Sequence, residues 1–124
     1  MSQYNISEVT TRKDLKAFIK FPDELYKDNK QYVPALHSDQ MASLTKDPAL
    51  DYCTHKLWLV RDGRKVVGRI CAMINPRYNE RYDKKRCRFG WFDTIEDIEV
   101  ARLLLETAEN WARENGMNEV HGPL

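Results

Sequence analysis

The chain has 124 residues, enough for one domain with its own core and too few for two of ordinary size. Twenty Lys and Arg against nineteen Asp and Glu leave a net charge of +1, which withholds the basic surplus that a nucleic-acid binder uses to displace counterions. With 42% hydrophobic and 31% charged residues the composition is globular rather than disordered, and no apolar run approaches the roughly 20 residues of a membrane span.

Met1 to Asn5 carries neither a basic stretch nor an apolar stretch of a secretory signal. Cys53, Cys71 and Cys87 are odd in number and widely spaced, which suits reduced thiols better than a disulfide framework. The expected location is cytoplasmic, with no membrane partner.

Ile6 to Thr10 reads as a short edge strand. Thr11 stands three residues before Asp14, close to a capping box, and Leu15, Phe18 and Ile19 give the following helix one apolar face. Phe21-Pro22 should interrupt that helix, since proline disfavours helical geometry in the residue before it. Asp23 to Tyr26 would then resume as a helical turn behind Pro22. Residues 27 to 55 are irregular, punctuated by Pro34 and Pro48. Ser38 could cap a short helix through Leu44, and Asp47-Pro48 could start another turn.

The strongest local signal follows. Leu57 to Val60 and Val66 to Ile74 are apolar runs joined by Asp62-Gly63, a pair that favours a tight hairpin because both central residues must accept positive φ. The second run is apolar on both faces except at Arg69, so it belongs in the middle of a sheet. Asn75-Pro76 ends it. Residues 77 to 85 read as a polar loop with one helical turn, and Cys87 to Phe92 as a further strand in which Gly90 marks a bulge or a close approach. Thr94 precedes Asp97 by three, a second capping-box-like start. Ala101, Leu104, Leu105, Ala108, Trp111 and Ala112 then form a buried helical stripe that Gly116 ends. Glu119 to His121 opens a last strand. This order, β-α-irregular-β-β-β-α-β, defines an α/β (α+β) mixed sheet with antiparallel strands and one β-α-β crossover over a long helix.

Few residues carry chemistry by spacing alone. Cys53-Thr54-His55 is half of a zinc pattern, but Cys71, Cys87, His37 and His121 supply no second close pair, so no metal is expected. No cysteine has a histidine beside it in sequence that would make it a nucleophile. Tyr78 and Tyr82, interleaved with Arg77, Arg81, Lys84, Lys85, Arg86 and Arg88, could stack and attract an acidic or nucleic-acid partner. Glu80 and Asp83 dilute that charge, and a solvated face is the simpler reading. Trp58, Trp91 and Trp111 read as core or sheet-face residues.

The hairpin at 57–74, the strand Cys87 to Phe92, the long helix and the ending His121-Gly122-Pro123-Leu124 together resemble the GNAT-type N-acetyltransferase fold. The chain resembles most closely an uncharacterised bacterial family of GNAT-like proteins. Stretches like Lys20-Phe21-Pro22, Tyr32-Val33-Pro34-Ala35-Leu36, Gly68-Arg69-Ile70, Arg88 to Asp93, Trp111 to Gly116 and Glu119 to Leu124 recur in that family. The resemblance implies an acyl-CoA-dependent transfer to an amine, with acetyl-CoA or another acyl-CoA as donor. The pantetheine arm would lie along the strand end, lined by Trp91, Phe92, Asp93 and Thr94.

It also implies a longer relative, so that residues 1–124 form a single N-terminal portion of the fold, inactive alone. The unpaired sheet edge left by the absent strands would then favour self-association. One feature departs from the pattern. Where active GNAT enzymes carry a glycine-rich pyrophosphate loop, this chain reads Asp93-Thr94-Ile95-Glu96-Asp97-Ile98-Glu99, with four acids and no glycine. Such a junction favours a self-capped structural helix over a phosphate cradle. A non-catalytic binding or assembly module on the same scaffold is therefore the alternative expectation.

Overall fold

The computed structural model describes residues 3–31 and 36–123, with the side chains of Pro48 and Ala49 left aside. The motif residues Tyr32 to Ala35, Pro34 among them, and Leu124 lie outside this range. Five strands lie side by side in chain order: β1 (Tyr4–Glu8), β2 (Thr54–Asp62), β3 (Lys65–Ile74), β4 (Arg86–Thr94) and β5 (Glu119–His121). The first four pair antiparallel, and β4 pairs β5 in parallel. The helices are α1 (Arg12–Leu25), α2 (His37–Thr45), α3 (Pro76–Tyr82) and α4 (Ile98–Glu114), with a 3-10 turn at Pro48–Asp51. The expected mixed α/β architecture is present, and β3, the apolar run interrupted only by Arg69, is its central strand.

Strand periodicity divides the core into two layers. Trp58, Val60, Ile70, Ala72 and Cys87 face α4 and meet its stripe of Val100, Leu104, Ala108, Trp111 and Ala112. Leu57, Leu59 and Cys71 face the other way, against Phe18 and Ile19 of α1 and Leu44 of α2. Burial of these side chains contributes about 25 cal/mol per Å² of apolar surface. Trp58 and Trp111 are core residues, edge to face with centroids 5.9 Å apart. Gly68 allows α4 to lie close on β3: a Cβ there would stand 2.7 Å from Val100 and 2.9 Å from Leu104.

Several local expectations change. The helix does not break at Pro22; α1 runs through it to Leu25. A mid-helix proline leaves the carbonyl four residues earlier without its usual donor, and here Arg69 Nη1 donates to that Phe18 carbonyl at 2.8 Å. Ser38 is inside α2 rather than at its cap. Leu36 is the cap residue and gives no side-chain bond, while His37 is held in the first turn by a contact to Asp23 of α1.

The hairpin turn is centred on Gly63-Arg64, since Asp62 pairs with Lys65. Gly63 takes φ +62° and Arg64 is not left-handed, so one central residue suffices, as in turns with glycine first. Residues 76–82 form a full helix, α3, capped by Asn75 with Pro76 at its start. Thr94 stays in β4 opposite Gly68, and Ile95 N–H extends the ladder to Val67. The helix therefore starts later, with Asp97 as the cap of α4. The Thr11 cap, with its hydroxyl accepting from Asp14 N–H at 3.1 Å, is as expected.

Candidate functional site

The site is built on a break in the periodicity of β4. Cys87 and Phe89 face α4, so strict alternation would send Trp91 there too. Instead Gly90, opposite Cys71, and Trp91 both face α1, and Phe92 returns to the α4 side. Between the Cys71–Gly90 and Arg69–Asp93 pairs, Ile70 therefore faces two residues, Trp91 and Phe92. This is a β-bulge. Trp91 sits at φ +50°, a conformation that strains a bulky side chain and persists only where its surroundings hold it.

The surroundings are a buried charged network. Arg69 is 5% exposed. Its Nε and Nη2 donate to one Asp93 oxygen at 3.0 and 2.9 Å, and Tyr26 O–H donates to the other at 2.9 Å. The guanidinium also lies 5.0 Å from the Phe18 ring centroid and 5.4 Å from that of Trp91. Phe18 and Trp91 themselves pack at 6.3 Å. One cation thus ties the carbonyl freed by Pro22, the Asp93 carboxylate and the Trp91 ring into one unit. Removing one member would leave a buried group unpaired.

β4 and β5 pair only from Arg86 opposite Glu119 to Arg88 opposite His121. Beyond Arg88, no strand covers that edge of β4 among the described residues. β5 ends there at His121, with Gly122 still against Phe89, and beside this end lies a cavity of about 310 Å³ lined by Cys71, Met73, Arg88, Phe89, Gly90 and Trp91. Val120 packs on the α4 side, so its neighbour His121 faces the cavity side, exposed, at the end of β5.

The four residues expected to line a cofactor cleft, Trp91, Phe92, Asp93 and Thr94, all lie on this stretch. Trp91 and Asp93 are committed to the Arg69 network. Phe92 packs edge to face on Phe89 at 5.9 Å, and Thr94 pairs with Gly68. What the stretch offers a ligand is therefore chiefly main chain. Arg69, Tyr26 and the Phe18 carbonyl were not among the residues picked from the sequence. A lone charge in a central apolar strand and a proline inside a helical stripe are the signals that point to them together.

At the N-terminus of α4 the cap residue Asp97 takes one of the free N–H groups. Asp97 accepts from Glu99 N–H at 2.9 Å and from Tyr4 O–H at 2.5 Å. These bonds hold the Asp97 carboxyl below its ordinary value, and the same contact raises the Tyr4 phenol to about 12. Burial pushes up the thiols of Cys53 and Cys87, and that of Cys71 to about 12, so each stays a thiol near neutrality rather than a nucleophilic thiolate. Among the described residues no three His, Cys, Asp or Glu side chains converge as a metal site.

Part of the aromatic and basic cluster packs on itself, while Lys84 and Lys85 stay exposed. Tyr78 and Tyr82 lie 4.7 Å apart, Arg88 stacks 4.2 Å over Tyr78, and Arg86 bonds both Tyr78 and Glu119.

Solved structures share this overall fold. A tandem GNAT protein from the clavulanic acid biosynthesis pathway superposes with a TM-score of 0.71 at 16% identity, over 92% of this chain and 34% of its own. The fold is GNAT-type and N-acetyltransferase-like. No family model matches the chain. Sequence similarity extends to Protein YghO of Escherichia coli K12, 36% identical over 91% of this chain and 29% of that protein. It extends also to a bacterial ceramide synthase of Caulobacter vibrioides, 30% identical over 97% of this chain and 32% of that protein. The chain thus spans about a third of the length of these curated relatives.

Proposed function

We propose that residues 1–124 form the donor-facing front of an acyl-CoA-dependent N-acyltransferase, whose acceptor is an amine. The observation that carries this reading is the bulged end of β4 with its unpaired outer edge. β4 carries a bulge at Trp91, and beyond Arg88 no strand pairs with its outer edge among the described residues. The pantetheine arm is a chain of amides, and an open strand edge suits it by main-chain hydrogen bonding. CoA would supply an activated acyl thioester there. The Arg69 network would hold the edge in place, and His121 would stand beside it at the end of β5. The similarity to a ceramide synthase supports an amine acceptor, since a ceramide is an amide.

The pyrophosphate of CoA does not fit the N-terminus of α4. Asp97 takes the helix N–H that a phosphate would use, and Glu96 and Glu99 add like charge. This favours a second reading, a non-catalytic binding or assembly module. A thermal-shift titration with CoA, acetyl-CoA and a long-chain acyl-CoA separates the two, performed on this chain and on full-length YghO. Ligand at 100 times its Kd stabilises by roughly 2.7 kcal/mol. Stabilisation by any of the three is expected for the transferase; none, in either protein, leaves the module.

A further inference from the structure

The α1–α2 layer carries a second feature, on cations rather than on the sheet. Arg12, Lys16 and Lys20 recur at i, i+4 and i+8 and so share one face of α1. Lys46 stands across from them at the end of α2. All four are exposed. Among the described residues none forms an ion pair, whereas Asp14 and Glu24 of the same helix pair with Arg61 and Lys27.

These cations rim a cleft of about 370 Å³ whose apolar wall is made by Ile19, Met41 and Ala42, and no carboxylate lines it. An apolar cleft of this size with a few converging charges has the character of a small-molecule site.

We propose that this cleft binds a single-chain anionic amphiphile. Its phosphate, sulfate or carboxylate head is held on this cationic rim around Lys16 and Lys20, and its alkyl chain lies along Ile19, Met41 and Ala42. A neutral ligand would leave the cations without countercharge, and a small inorganic anion would leave the apolar wall wet. The proposal stands apart from acyl transfer and uses none of the residues at the bulged end of β4.

The test is isothermal titration of this chain with dodecyl phosphate below its micellar concentration. Inorganic phosphate, a dodecyl maltoside and phosphatidylglycerol vesicles serve as comparison ligands. Two surface variants probe the two halves: Lys16→Glu with Lys20→Glu for the head, and Ala42→Trp for the chain. Dodecyl phosphate is expected to bind at least about tenfold more tightly than the maltoside or inorganic phosphate. Both variants should weaken it about tenfold or more with melting temperature unchanged. Equal binding of inorganic phosphate, unchanged affinity in either variant, or binding to vesicles without binding of the free amphiphile would each overturn the proposal.

Discussion

Arg69 is the residue on which most of the site's order converges. Its guanidinium is buried and bonded to Asp93 and to the Phe18 carbonyl. Arg69→Met removes one side of a buried pair and leaves the Asp93 carboxylate without its cation, which costs about 3–5 kcal/mol. Urea unfolding should show that loss, and adding Asp93→Asn should recover part of it; full additivity would mean that the two do not act as a pair.

The Tyr4–Asp97 bond makes a prediction in pH. The Asp97 pKa is depressed, so its contribution is present above the ordinary carboxylate range and fades as pH falls through it. The Tyr4 pKa is raised from 10.0 to about 12, so its contribution is present below 10 and fades as pH rises towards 12. Melting curves of wild type and Tyr4→Phe should therefore differ most between these limits and converge at both extremes. The three buried thiols should resist alkylation at neutral pH in the folded protein and react fully in urea.

Among the elements, α4 packs closely on β3 at Gly68. Gly68→Ala would push its methyl to within 2.9 Å of Val100 and Leu104, and such overpacking costs about 1–3 kcal/mol. Thermal unfolding would measure it, and an unchanged melting temperature would mean that α4 shifts freely.

Element types were legible where one signal dominated: the α4 stripe, the central strand around Ile70, the Thr11 cap. They were hidden where a distant partner decided the matter. Pro22 reads as a breaker because the donor to the Phe18 carbonyl lies 51 positions away, on Arg69. Thr94 reads as a cap because nothing near it in sequence announces its pairing with Gly68. The bulge is half legible: Gly90 marks its position, but the left-handed residue is Trp91, held by Phe18 and Arg69 from other elements.

At the scale of the whole molecule, part of β4 has no strand paired to its outer edge among the described residues, and β5 has three residues. Unpaired edges template strand addition. We predict self-association of this chain, seen in light scattering as a mass that rises with concentration; a constant monomeric mass at tens of micromolar would contradict it. The same open edge carries the functional reading, since a strand partner and a pantetheine arm would compete for the same main-chain groups. The most direct measurement is an amide chemical-shift titration of this chain with CoA, which registers weak binding. The account predicts that the amides of residues 90 to 94 move together and saturate. Silence there at saturating CoA, or shifts confined to other parts of the molecule, would contradict it.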